Sequence, residues 1–457
     1  MKTKWGAAAL VISMFSACPQ MPGPDGGTGG GTGGGVTGGG GTTGGGTTGG
    51  GTGGGGGGGG TGGGMGGGSS GPFDAGRLNC TFETPFLLGD GDTGYVAVTA
   101  SGEAIYAWSE TGNGLHYVVQ SPAGVLGTVQ NDATGGLPAG YSLAANGDRA
   151  LLVSTSTAPA VQARRFTTGG SWSAPESLMP TPQTLAGVFV GLEPNGAASV
   201  WRQDSFNTSP WIEVASDGTT FGAPHEVSDA GFLYSARRAN GTRVAVTLQS
   251  FTGVLPEVVV STAAGDTRTT LTGSVVTGND YFHSAVADDG TVVIAGTFNL
   301  SGTDGVGAMV RSGGTFGAAQ MVSVYADGGM SSVRTIGAVA GPGGLGAVAW
   351  LNEDTVFLSH RTGTTWSAPQ IIASAGGVVP RFTQLNASRG LVHVYDSMGM
   401  PKFIEFAADG YVSALRDTPL SGATFGTEFA GQGSKAAAIS TATGLDGGYV
   451  IYASQCR

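Results

Sequence analysis

The chain has 457 residues, of which 89 are glycine and only 11% are charged, and its formal net charge is −11. Its lysines are Lys2, Lys4, Lys402 and Lys435, and an acidic, lysine-poor surface repels phosphate backbones, which argues against nucleic acid as a partner. Much of the glycine lies in one tract, so length alone overstates the number of folded domains.

The N-terminus reads "MKTKWGAAALVISMFSAC": two lysines, an apolar run, then small residues before Cys18. This is the layout of a signal peptide, and the run is too short to span a bilayer. "FSAC" resembles the lipobox of bacterial lipoproteins, with Phe15 where the box prefers Leu. The resemblance implies a signal peptide over 1–17, and Cys18 as the mature N-terminus, holding the protein to the membrane through lipid. Residue 19 is Pro rather than the Asp that favours inner-membrane retention. The expected location is therefore the outer membrane, facing the periplasm or the cell surface. A plainly secreted protein cut near Ala17 is the alternative.

Residues 18–71 are dominated by repeats of "GTGGG". Glycine loses the most backbone entropy on ordering, and this tract has almost no side chain to bury. It is read as a flexible tether, with a coil dimension of roughly 35–40 Å for its central ~45 residues. No lysine, strand or helix accompanies it, so it is not a phosphate-binding loop.

From residue 72 onward, short apolar runs such as "YVAVTA", "TVVIAGTF" and "LVHVYD" alternate with glycine turns. Two markers repeat. An aromatic follows a small-residue turn at Trp172, Phe221, Phe316 and Trp366, with the degenerate "TRTTLTG" at 267–273 filling the one missing period. A second turn recurs at Gly102, Gly147, Gly196, Gly241, Gly290, Gly344, Gly390 and Gly433, at spacings of 43 to 54 residues. Asn-Gly and Asp-Gly suit two-residue hairpins, which need positive φ at both central positions.

Four strands per period, radially repeated, predict an all-β chain with a single β-propeller over 72–457. Eight turns give eight four-stranded blades. Seven is the alternative, if "TFGTEF" at 424–429 is an outer strand. The aromatics are expected at the start of each outermost strand, packed between blades. After Gly433 only a second and a third strand remain, whereas "TFETPFLL" near the N-terminus reads as an unattached fourth. Phe82 lies 20 residues before Gly102, as Phe221 lies 20 before Gly241. The last blade is therefore expected to take its outer strand from the N-terminus. Cys80 and Cys456 would meet where other blades have their hairpin, and an exported protein permits a disulfide there.

The "GTTW"-type turns resemble the Asp-box repeats of sialidases and related propellers, although in "SDGTTF" Asp217 is one place late and other copies have no Asp. The box is structural in that family, so the resemblance implies a fold and not a reaction. A sialidase also needs an arginine cluster, a Tyr–Glu pair and an acidic proton donor; its Arg-Ile-Pro motif is absent and "PRF" at 380–382 is a poor substitute. A sialidase-related surface glycoside hydrolase is thus the second reading, and no catalytic residue is nominated. "GDGDTG" at 89–94 places Asp90, Asp92 and Gly94 like the start of a calcium loop, but Ser101 stands where a bidentate Glu is needed. It is read as a turn between blades. Five scattered histidines, with His116 and His360 assigned to outer strands facing solvent, suggest no metal site, and no cofactor is expected.

What remains is a ligand face. Second-to-third-strand loops and fourth-strand-to-next-blade loops share one rim of a propeller. They contribute Arg202, Asp204, Trp211, Asp280, Tyr281, Glu353 and Asp354. Aromatic faces beside planar polar groups suit a glycan, peptide or protein ligand. The functional expectation is a non-catalytic binding or scaffold module.

Overall fold

The computed structural model describes residues 77–457 apart from 111–113, 133–139, 156–159, 181–186, 204–210, 229–231, 249–254, 273–281, 325–332, 376–379, 397–399, 419–423 and 445–447. Within it, eight antiparallel sheets follow one another around a ring. The innermost strands, blade 1 to blade 8, are Thr93–Val98, Gly140–Asn146, Gly187–Leu192, Phe232–Ala239, His283–Val286, Val333–Gly341, Arg381–Asn386 and Thr424–Gln432. The chain is an eight-bladed β-propeller.

The apolar runs take their character from this arrangement. A blade's second strand is covered by a neighbouring blade on each face, so both faces are buried and alternation disappears. In blade 5, "VVIAGTF" of Val292–Leu300 is buried without interruption, and in blade 6 so is "GAVAWL" of Leu345–Asn352. Small Ala and Gly in these strands let adjacent sheets approach, and the apolar clusters lie between blades. One joins Ala285, Val293 and Val306 of blade 5 to Ala338, Val348 and Trp350 of blade 6.

The repeated aromatics occupy the expected position. Trp366 packs on the cluster between blades 5 and 6, Phe316 on that between blades 4 and 5, Phe221 on that between blades 2 and 3, and Trp172 on those between blades 1 and 2. Blades 1 and 7 place Leu126 and Val412 at the corresponding bridge. Blade 4 has no such residue: its outer strand Gly265–Thr270 pairs continuously with the third strand, without a bulge.

Positive-φ glycines stand at seven of the eight markers, but only Asn240 and Gly241, with φ of 44° and 76°, make the expected two-residue turn with both centres left-handed; Asn146, Asn195 and Asp289, before the other marker glycines, do not have positive φ. Gly390, however, lies within the strand Arg389–Tyr395; the turn of blade 7 is Ala387–Ser388, closed by the Asn386–Arg389 pair. There the Asn386 side chain accepts from the Ser388 amide at 3.0 Å, so a polar side chain stabilises the turn in place of glycine.

Blade 8 is composite. Its strand order is Phe86–Asp90, Tyr449–Cys456, Lys435–Thr443, Thr424–Gln432, so "TFGTEF" begins the innermost strand and the seven-blade alternative is overturned. The N-terminal segment joins the last strand in two pieces. Phe82 bridges Cys456, and Phe86–Asp90 pairs onward with a register shift between Leu87 and Gly89. Cys80 and Cys456 are disulfide-bonded with Cα atoms 5.3 Å apart. "GDGDTG" is the connection from this outer strand into blade 1. A Cβ on Gly91 would lie 2.6 Å from Trp108 and 2.9 Å from the Ser109 carbonyl, which explains its glycine by packing. His116 and His360 correct another expectation. They lie on third strands, Gly114–Gln120 and Thr355–Thr362, and both are half-buried; His116 stacks on Trp108 at 5.4 Å.

Candidate functional site

Of the rim residues singled out in the sequence, Asp204, Asp280 and Tyr281 lie outside the described residues, as does Cys18. Arg202 sits on the second strand of blade 3, Ala198–Gln203, with a buried side chain that donates to the Pro180 carbonyl of blade 2. Trp211 opens the third strand of that blade and is buried among Trp201, Val227, Ala236 and Val259, with Phe189 edge-on at 6.0 Å. These two side chains belong to the packing between blades. Glu353 and Asp354 are exposed and form the two-residue turn between the second and third strands of blade 6. The structure brings none of these described residues together as a cluster.

A cavity of about 550 Å³ lies instead on the ring axis. Its wall is made by the innermost strands, from mid-strand to the turns leading into the second strands: Tyr95–Val98, Leu143–Asn146, Val190–Leu192, Arg237–Ala239, Thr383–Arg389 and Glu428–Gln432. This is the opposite end of the strands from the rim favoured by the sequence.

A closed ring of turn-to-turn hydrogen bonds frames that end. Ala100 N donates to Gly147 O (2.7 Å), Asn146 Nδ2 to Leu192 O (2.9 Å), Gly241 N to Glu193 Oε1 (2.7 Å) and Asn240 Nδ2 to Asp288 O (2.7 Å). Gly343 N donates to Asp289 Oδ2 (2.6 Å), Ala340 N to Ala387 O (2.8 Å), Arg389 Nη1 to Gly433 O (2.9 Å) and Gln455 Nε2 to Gly102 O (2.7 Å). Each blade is thereby tied to the next, and the cavity wall is held before any ligand arrives.

Charge in the wall is mostly matched. Arg238 donates Nε to Glu193 (2.7 Å), and its Nη1 reaches Ala198 O (3.0 Å) and Ser199 Oγ (2.9 Å). Arg389 pairs with Glu405, and Arg381 reaches Glu428 at 3.3 Å. Arg237 differs. Burial lowers its pKa to about 10, so it stays charged near neutrality, yet its single hydrogen bond among the described residues goes to the Ala236 carbonyl at 2.9 Å. Next to the wall, His393 of blade 7 packs on Phe429 (5.1 Å) and Tyr395 (4.9 Å). Burial first, and Arg381 second, push its pKa down to about 3, so it is a neutral ring. No sequence signal separated Arg237 from its neighbour. The pairing of each depends on which way its strand faces.

The described residues contain no group of three or more His, Cys, Asp or Glu able to hold a metal ion. Among the described residues, two carboxylates line the cavity: Glu428, held by Arg381, and Asp288, which is exposed.

No family model matches the chain, and no curated protein matches it. Solved propellers share its outline. The BP39L lectin from Burkholderia pseudomallei is 13% identical, with 74% of this chain and 99% of the lectin covered and a TM-score of 0.45. A polysaccharide lyase, an ulvan lyase, is 9% identical, with 81% and 95% covered and a TM-score of 0.45. A puromycin-hydrolysing peptidase from Mycobacterium tuberculosis is 12% identical, with 80% of this chain covered and a TM-score of 0.43; this chain spans 62% of that peptidase. Likeness at this level transfers no residue roles, and the assignment as a propeller rests on the strand order of the eight sheets.

Proposed function

We propose that this chain is an exported binding module whose propeller holds a small ligand in the axial cavity without transforming it. The observation that carries the reading is the cavity itself. It is large enough for a small molecule, its wall mixes apolar side chains with a few polar groups, and the turn-to-turn ring makes it rigid. Lipid on Cys18 places the module at the outer membrane in this reading, with 1–17 as signal peptide, 18–71 as tether and the propeller from 72 to 457. The lectin among the similar folds binds sugars by its name, and a glycan is the first ligand class to test here.

Two experiments test this. Calorimetry of the purified protein against a glycan panel, run beside sialoside and aryl-glycoside turnover assays, is expected to give binding without turnover. Robust turnover would replace the binding reading with the hydrolase reading. For the anchor, Cys18→Ser is expected to move the protein out of the membrane fraction. Retention at the wild-type level would remove the lipid from the proposal.

A further inference from the structure

We infer that the axial cavity takes a small acidic saccharide, with its carboxylate on Arg237 and a hydroxyl donated to Gln432. This rests on the binding reading above and gives it a ligand class. Three arginines line the cavity, and two of them are matched: Arg238 by Glu193 and Arg389 by Glu405. Arg237 has no carboxylate within ion-pair distance among the described residues, and its Nε is buried without a hydrogen-bond partner. A guanidinium carries five N–H donors in a planar fork that fits a carboxylate, and a charge left unmatched in a low-dielectric wall is costly. An anion in the cavity supplies what the protein does not.

The second orphan lies elsewhere on the wall. Gln432 ends the innermost strand of blade 8, and its side chain reaches Asn146 of blade 2. Asn146 donates through Nδ2 to the Leu192 carbonyl, which turns its oxygen toward Gln432. Gln432 must then present its nitrogen to Asn146 Oδ1 (3.2 Å), and its own Oε1 is left buried with no donor among the described residues. This chain of bonds fixes both amide orientations, which coordinates alone often leave open. One stretch of the wall therefore lacks an acceptor and another lacks a donor. A molecule with a carboxylate at one end and hydroxyls at the other satisfies both. Val190, Val286 and Leu385 add apolar groups to the wall, the last two largely buried in it. The volume of about 550 Å³ suits one or two sugar units.

The test uses the full chain carrying Cys18→Ser, titrated with D-glucuronate, its uncharged methyl ester, D-glucose and inorganic sulfate. Wild type is expected to bind glucuronate at least tenfold more tightly than the ester or glucose. Arg237→Met should abolish that preference while retaining the weak binding of the neutral sugars, and Gln432→Leu should weaken glucuronate and the ester alike. A thermal-shift arm guards against misfolding. Without ligand, Arg237→Met should melt no lower than wild type, because it removes an unmatched charge; glucuronate should raise the wild-type melting temperature and leave the variant unchanged. Equal affinity for acid and ester would overturn the carboxylate assignment and leave cavity binding standing. Preference for sulfate over glucuronate would replace the sugar acid with an inorganic or ester sulfate and overturn the proposal. Binding of none of the four would sink both this inference and the cavity reading.

Discussion

Two junctions in the ring are each built around a buried Arg–Glu pair, in different covalent settings. Between blades 3 and 4, Glu193 accepts from Arg238 and from the Gly241 amide, and the chain runs continuously through both blades. At the junction of blades 7 and 8 both partners lie in blade 7: Glu405 accepts from Arg389 through one oxygen, and through the other from the Leu78 amide at 3.1 Å. Arg389 in turn reaches Gly433 O of blade 8. The second junction thus secures an N-terminal segment more than three hundred residues distant in sequence. Leu78 is buried beside Phe403 and Phe429, Phe82 packs edge-on to Phe403 at 5.6 Å, and the disulfide spans a sequence separation of 376. Where covalent continuity holds the ring, a buried ion pair with one backbone donor suffices. Where the ring is closed by two distant segments, the same set is reinforced by an aromatic cluster and a covalent bond. An unclosed ring would expose the edge of the Tyr449–Cys456 strand.

The largest expected effect comes from Glu405→Ala. It leaves Arg389 buried without its carboxylate and the Leu78 amide without an acceptor; the pair is 3% and 1% exposed. A loss of about 3–5 kcal/mol is expected in denaturant unfolding. Next is Cys456→Ser. Chain entropy puts the upper figure at roughly 4–5 kcal/mol, and strain and residual structure reduce such values, so about 2–3 kcal/mol and ~5 °C in melting temperature are expected. Because both changes act through the docking of residues 78–82, the double variant should lose less than the sum. Strict additivity would show that the bond and the ion pair secure different things.

Glu193→Ala is the control for the comparison. Its pair is 8% and 6% exposed, and Arg238 keeps Ala198 O and Ser199 Oγ. About 2 kcal/mol is expected. A loss equal to that of Glu405→Ala would mean that the closing junction is not special.

The last effect is read as a pH slope beside the closing junction rather than as a fixed loss. His393 has a folded pKa of about 3, below the unfolded value near 6.5, so the unfolded chain binds a proton that the folded one refuses. Its contribution is fully favourable above about pH 6.5 and is lost as pH falls toward 3, at about 1.4 kcal/mol per unit. His393→Leu should flatten the stability profile between about pH 6.5 and 5, above the range where carboxylates titrate. An unchanged slope there would mean that the ring takes up its proton in the folded state.

The architecture was legible because each blade repeats its own needs. Turns that demand positive φ recur as Asn-Gly or glycine, and the wedge between blades recurs as an aromatic at Trp172, Phe221, Phe316 and Trp366. Register carried from Phe221–Gly241 to Phe82–Gly102 was enough to place the N-terminal strand and to pair Cys80 with Cys456. Blade 7 misled at Gly390 because a turn stabilised by an Asn386 side chain needs no glycine. His116 and His360 misled because strand rank within a blade was read without pairing.

The sequence by itself determined the repeat and the closing strand, since these follow from local periodicity and from two cysteines at matched positions; the strand order of the sheets decided eight blades over seven. Only the tertiary structure decided where charge is matched. Arg237 and Arg238 are adjacent and chemically identical, but successive residues of a strand point to opposite faces. Both line the axial cavity, but one meets Glu193 of the preceding blade and the other meets no carboxylate among the described residues. Burial separated the rim candidates in the same way: Arg202 and Trp211 are taken up by the wedge between blades, while Glu353 and Asp354 remain in solvent. A strand's sequence carries its alternation but not what lies opposite each face, and that opposition comes into being only when the ring closes.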